Sequence, residues 1–362
     1  MGILIGMDEA GYGPNYGPLV VAATAWQVEE EGKGDRGQGN CGFRISDFGF
    51  ARQSTDCQSA IRNPQSAIDP IPDLYQLLRG TVCKKPSTHR IAIADSKALY
   101  TPGLGLRQLE RGLHAVLRSM QQALDCWSAI IEYCQADCGG HHKTVCWPQE
   151  FHCPLPLDAV ADELHRLQGR FSRACESAGV RPLLVRARLI YPAQFNELVV
   201  EYGSKGAALS HITVGLLREV IDIVCPPVLS PQSPVPAFVV CDKHGGRNFY
   251  TALLQHHFSE HWIEPVHESR VESRYEWGPP EARTCVAFRM NGERFLPTAL
   301  ASMTAKYLRE LSMRAFNEFW STHVTDLRPT AGYPRDSHRF RKAIAAAQRK
   351  LGIDDHLIWR NR

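Results

Sequence analysis

The chain has 362 residues, 44% of them hydrophobic, with a formal net charge of +3 and twelve cysteines. That length suits one large domain with insertions, or two domains, and that apolar share excludes wholesale disorder. No apolar stretch approaches membrane-spanning length, so no membrane partner is expected, and the near-balanced charge does not by itself demand nucleic acid. Asp8 and Glu9 interrupt the opening apolar run, so no secretory leader is read, and the cysteines are expected to be reduced thiols in a cytoplasmic protein.

In chain order, Ile3-Leu4-Ile5-Gly6-Met7 reads as a buried strand that runs into Asp8-Glu9. The turn Gly11-Tyr12-Gly13-Pro14 follows, then a second apolar strand from Leu19 to about Gln27. A buried strand has no structural use for two adjacent carboxylates. They repel, and their desolvation is costly unless a cation compensates. Hard divalent ions such as Mg²⁺ take carboxylate oxygens and are the natural compensator.

From Glu29 to about Ser87 the chain turns polar and glycine-rich, and Gln-Ser-Ala-Ile at 58–61 recurs at 65–68. One duplicated heptad is too short for a solenoid. An insertion over 28–89, partly disordered, is expected there, with a partner-binding arm as the functional alternative. Order returns at Arg90-Ile91-Ala92-Ile93-Ala94, followed by Asp95-Ser96-Lys97 and a helix from about Leu104 to Asp125. Asp95 reads as a helix cap. Lys97, a cation near the carboxylates, could hold a phosphate or orient the acids.

A second insertion, 126–182, carries cysteines and histidines at short spacing, of which Cys134, Cys138, His141 and Cys146 would be the zinc set. No Cys-x-x-Cys pair occurs there, so scattered buried thiols are the plainer expectation. Residues 157–178 read as an amphipathic helix and Leu183–Ile190 as a strand, leading into a helix through about Val224 and a proline-rich linker. Ala237-Phe238-Val239-Val240-Cys241-Asp242 is the next buried strand, ending in an acid before a glycine turn. Asp242 either faces the same site as Asp8 or caps a helix starting near Asn248. Thr284–Phe288 reads as an edge strand, and Ala299–Glu310 as a helix on which Lys306 and Glu310 form an i,i+4 pair. The segment 325–362 contains Gly332-Tyr333-Pro334 and a basic helix suited to a phosphate backbone.

Asp8-Glu9-Ala10-Gly11-Tyr12-Gly13 resembles the Asp-Glu-Ala-Gly-Arg-Gly opening of the type 2 ribonucleases H, the ribonuclease HII/HIII group, and Tyr16-Gly17-Pro18-Leu19-Val20-Val21 resembles ribonuclease HIII. Asp95-Ser96-Lys97-Ala98-Leu99 is similar to the group's Asp-Ser-Lys-x-Leu segment. Ala301-Ser302-Met303-Thr304-Ala305-Lys306 is similar to its Ala-Ser-Ile-x-Ala-Lys helix, and Gly332-Tyr333 to its Lys-Gly-Tyr-x-Thr segment.

The resemblance implies a single ribonuclease H-like α/β domain over 1–362, a mixed β-sheet flanked by helices with two large insertions. It implies that Asp8, Glu9, Asp242 and Glu310 bind two Mg²⁺ or Mn²⁺ ions. These would hydrolyse the RNA strand of an RNA–DNA hybrid, or ribonucleotides embedded in duplex DNA, to 5′-phosphate and 3′-hydroxyl ends. It also implies that Gly11, Tyr12, Gly13, Lys97, Ser302, Lys306 and Tyr333 contact substrate, with no obligate protein partner. The sequence opens at the first strand, so the N-terminal substrate-binding domain of ribonuclease HIII is not expected. Tyr12 stands where the group has Arg, and Glu310 where it has Asp. Losing the Arg removes a charged contact near the ribose 2′-hydroxyl, so a longer hybrid is the expected substrate. Two other classes follow from the residues: a non-catalytic nucleic-acid binder on the same fold, and a zinc-stabilised interaction protein.

Overall fold

A computed structural model describes residues 1–29, 72–101, 103, 105–135, 147–226 and 235–361. Most of the first expected insertion, and Cys138, His141 and Cys146 of the expected zinc set, lie outside the described residues. Seven strands build one mixed sheet. They are β1 (Gly2–Ala10), β2 (Leu19–Val28), β5 (Val180–Ile190), β6 (Ala237–Asp242), β7 (Glu264–Glu268), β8 (Glu272–Trp277) and β9 (Thr284–Arg289), in the order β5-β2-β1-β6-β9-β8-β7. β1, β6 and β9 run parallel; β2 and β5 on one side and β8 and β7 on the other are antiparallel to their neighbours. Two short strands, β3 (Val82–Cys83) and β4 (Ile91–Ala92), pair separately.

Helices cover both faces. The described ones are α1 (Leu74–Leu77), α2 (Ser96–Leu99), α3 (Arg107–Ser119), α4 (Trp127–Cys134), α5 (Trp147–Glu150), α6 (Ala161–Ser177), α7 (Pro192–Tyr202), α8 (Lys205–Val224), α9 (Thr251–His257), α10 (Leu296–His323), α11 (Pro334–Leu351) and α12 (Asp355–Ile358). The period-2 alternation of β1 assigns the faces. Ile3, Ile5 and Met7 join a core with Leu209, Leu216 and Leu217 of α8, whereas Leu4 joins a core with Leu300, Met303 and Leu308 of α10. Gly6 lies on the α10 side, and a Cβ there would fall 2.0 Å from the Thr298 backbone nitrogen. A glycine inside a strand marks a close backbone approach; here it lets the start of α10 lie against β1. Asp8, two residues on, faces the same helix.

Several expectations change. The Thr284–Phe288 segment is an interior strand, flanked by β6 and β8, because the polar β7–β8 hairpin extends the sheet past it. That hairpin was hidden by its charges: Glu264, His267, Glu268, Glu272, Arg274 and Glu276 leave little apolar alternation to read. The helix expected over 104–125 is shorter, ending where Gln121 takes a left-handed φ of 62°. The helix expected through Val224 is two, divided at Gly203 (φ 75°), with Ser204 capping the second. Asp242 caps no helix: α9 starts later, after Tyr250.

Candidate active site

Met7 pairs with Cys241 in the parallel β1–β6 ladder, which sets Asp8 beside Asp242 at the carboxyl ends of neighbouring strands. β9 ends at the same edge, and the turn after it, Asn291-Gly292-Glu293, adds a further acid. The Gly292 N–H donates to Asp242 Oδ1 at 3.1 Å, and the Glu9 N–H to Asp8 Oδ1 at 2.8 Å. In open α/β sheets such a crevice, outside the strands' carboxyl ends, is where ligands bind.

Each of these acids is pushed up. Asp8, 8% exposed, is raised well above the usual carboxylate range, first by burial, then by Glu9; the Ser302 hydroxyl opposes the rise, and Asp242 adds to it. Glu9 is raised to about 7 by burial and by Asp242, with Lys97 pulling the other way. Asp242 is raised by burial, against the Gly292 N–H and Lys97. Glu293 is raised by burial and, further, by Asp242 and Asp95. Lys97 answers in kind: Asp95 chiefly raises its ammonium, with Asp8, Glu293 and Asp242 contributing. Asp95 caps α2 by accepting the Lys97 N–H at 3.0 Å, so the cap also aims Lys97 over the acids.

Glu293 was not singled out in the sequence. The signal for it is positional: it lies in the turn after β9, whose interior place in the sheet the sequence does not display.

Ser302 sits on α10, buried, with its hydroxyl 3.2 Å from that of Ser96. Glu310 lies eight residues further along, about 12 Å along the helix axis. Its Oε2 accepts from Tyr100 Oη at 2.8 Å, and its Oε1 pairs with Lys306 Nζ at 2.6 Å and Arg309 at 3.4 Å. Lys306 also lies over the Tyr100 ring, 4.3 Å from its centroid. Asp8, Glu9 and Asp242 thus form one electrostatic group with Glu293, while Glu310 heads a neighbouring cluster with Lys306 and Tyr100.

Gly11 turns the chain with φ at +87°, and a Cβ there would meet Arg309 Nε at 2.5 Å and the Pro18 carbonyl at 2.7 Å. Only a residue without a side chain fits both the angle and the contact. Gly13 borders open space, and Tyr12 is 39% exposed. The Gly332 carbonyl accepts the Asn15 and Tyr16 N–H groups, which fastens the Tyr333 loop to this turn. Tyr333, 47% exposed, is backed by the Arg309 guanidinium, 5.5 Å from its ring centroid. Two exposed tyrosines therefore flank the glycine turn. Asp242 and Glu293 also line a pocket of about 580 Å³, together with Lys97, Asn248 and Arg270, among others. Lys243 borders it as a structural post: four acceptors, Arg247 O, Asn248 Oδ1, Ser269 O and Ser273 Oγ, surround its Nζ at 2.6–3.3 Å and share its three N–H groups.

The donor chemistry suits a hard divalent ion. Only carboxylate oxygens converge here, and a cation would relieve both repulsion and desolvation. The acids stand further apart than a closed cage: among the described residues they form no trio with ligand atoms all within 4.8 Å of one another. Cys134, the described member of the expected zinc set, is buried, with its thiol pushed up to about 12 by burial. The described cysteines are free thiols.

No protein-family model and no characterised protein sequence matches the chain. Solved structures similar to it include ribonuclease H2 from Pyrococcus horikoshii OT3, at 13% identity and a TM-score of 0.40, covering 98% of this chain and 92% of that one. Ribonuclease HII of Archaeoglobus fulgidus, solved as a PCNA complex, matches at 13% identity and 0.39, covering 99% and 94%. Bst-RNase HIII with Mn²⁺ matches at 12% identity and 0.36, covering 99% of this chain and 66% of that one. No helix among the described residues is long and apolar enough to cross a membrane.

Proposed function

We propose that this chain is a divalent-metal-dependent endoribonuclease acting on the RNA strand of RNA–DNA hybrids. One observation carries the reading: two parallel strands end side by side in Asp8-Glu9 and Asp242, and every one of these carboxyls is raised by burial and by its neighbours. Asp8, Glu9 and Asp242 would hold the ions, with Glu293 as the fourth acid by position; Glu310, the fourth acid by motif, has its carboxylate engaged by Tyr100, Lys306 and Arg309. Bound there, Mg²⁺ or Mn²⁺ would supply Lewis-acid stabilisation of the charge that builds during in-line phosphodiester hydrolysis.

The chain's own residues do the rest. Ser302 fixes the Asp8 carboxylate, and the Gly292 N–H fixes that of Asp242. Lys97, held in place by the Asp95 cap, faces the acids and can pair with a substrate phosphate. The Gly11–Gly13 turn lets backbone groups approach a ribose closely, and Tyr12 and Tyr333 offer faces for a sugar or base to pack on. On the α11 side, Arg339 pairs with Asp336 and Arg341 with Asp355, so part of the basic helix serves the fold.

The test is incubation with three duplexes of one sequence: RNA–DNA hybrid, DNA with one embedded ribonucleotide, and all-DNA, each with Mg²⁺, Mn²⁺ or chelator. Metal-dependent cutting of the hybrid with 5′-phosphate products is the expected result. The single-ribonucleotide duplex is expected to be cut more slowly, because Tyr12 replaces a charged contact. An intact hybrid under both metals, or equal cutting of all-DNA, would rule the reading out.

A further inference from the structure

On the other face of the sheet three histidines converge. His211 lies on α8; His256 and His257 close the last turn of α9. Their ligand atoms all lie within 4.8 Å of one another. His211 Nδ1 and His257 Nε2 are 3.2 Å apart. Two imidazole nitrogens at a tetrahedral zinc, each at 2.0–2.1 Å, stand about 3.3 Å apart. The pair already has the edge length of such a site, and His256, exposed at the rim, brings a third nitrogen within 4.8 Å of both.

The ligands are held from outside. The Tyr202 ring stacks on His211 with centroids 4.0 Å apart and planes within 5°. The His257 carbonyl accepts from Arg218 on α8, tying the end of α9 to that helix. Glu201 acts on His211 as a nearby acid; Arg247 acts on His211 and Arg188 on His257 as opposing cations. Three neutral nitrogens with no carboxylate among them favour a late first-row ion over Mg²⁺.

We propose that His211, His256 and His257 form a Zn²⁺ site that pins α9 to α8, separate from the carboxylate edge. The fourth position would stay open to solvent. The site also steadies the acid-bearing turn from behind, since Ser210, next to His211, is 3.0 Å from His244 Nδ1, two residues past Asp242.

The test uses the full chain, stripped by chelator and dialysed into excess Mg²⁺ to occupy the carboxylates. Zn²⁺ is then titrated calorimetrically, and Co²⁺ is used as a spectroscopic stand-in. One equivalent should bind, raise the melting temperature, and give a Co²⁺ spectrum without thiolate absorption. His256→Ala, at an exposed position, should weaken binding by more than about tenfold. His211→Gln should abolish it with the circular dichroism unchanged. Zn²⁺ binding that survives His256→Ala and His257→Gln, a thiolate band that places the ion on the cysteines, or no binding above Mg²⁺ competition would each overturn the proposal.

Discussion

Two carboxylate groups in this protein, fully buried Glu110 and the buried to half-buried trio Asp8, Glu9 and Asp242, are built oppositely. Glu110 on α3 is fully buried, yet it accepts the N–H groups of Leu157, Asp158 and Ala159 at 2.6–2.8 Å and the Tyr307 hydroxyl at 3.1 Å. It stitches a turn to the helix layer, and its oxygens are saturated. Asp8, Glu9 and Asp242 have few donors and are crowded by one another. Burial alone therefore does not mark a functional acid. Donors converging on one carboxylate make a structural joint; carboxylates converging on one space, with donors scarce, make a place for a cation.

The contrast can be broken by substitution. Asp8→Asn should lower hybrid cleavage by about 10³-fold or more, while the metal-free protein melts no lower than wild type, because a repelling charge is gone. A lower melting temperature with cleavage intact would reverse the two roles. Glu110→Ala should do the opposite. It strands three N–H groups and should cost about 3 kcal/mol of stability, read by urea unfolding, with cleavage per folded molecule near wild type.

A narrower comparison concerns the fourth acid. Glu293→Gln should slow cleavage about 10²-fold, and Glu310→Gln, whose carboxylate Tyr100, Lys306 and Arg309 already engage, less than about tenfold, measured as kcat on the hybrid. The reverse order would move the fourth ligand to α10.

The smallest expected effect is on pH dependence. Glu9 sits at about 7 in the folded chain against 4.5 for an unperturbed glutamate. The folded state thus keeps a proton that the unfolded chain has released, and stability falls as pH rises between those values. In chelator the melting temperature should drop from pH 5 to pH 8, and saturating Mg²⁺ should flatten the slope.

Much of this was legible in the sequence. The strands carrying Asp8 and Asp242 are apolar runs ending in acids, and their bounds hold within a residue or two. The Asp95 cap of α2 and the basic C-terminal helix were also readable. The β7–β8 hairpin was not, since its charged residues hide the alternation, and with it went the interior position of β9 and the presence of Glu293 at the edge. Glu310 was read from motif spacing alone. That spacing could not show Tyr100, 210 positions earlier in the chain, already engaging its carboxylate. The three-histidine cluster joins positions 46 residues apart on two helices, a proximity that spacing does not display.

The most direct test of the cation site is Mn²⁺ binding by calorimetry near pH 6 in buffers of different ionisation enthalpy, with the three histidines replaced to remove their contribution. Burial and mutual repulsion push these carboxyls up, Glu9 to about 7, and a cation bound among them favours the ionised form, so proton release accompanying Mn²⁺ binding near pH 6 is predicted, and it is lost in Asp8→Asn. Binding with no proton release at pH 6, or binding untouched by Asp8→Asn, would contradict a cation site at the ends of β1 and β6.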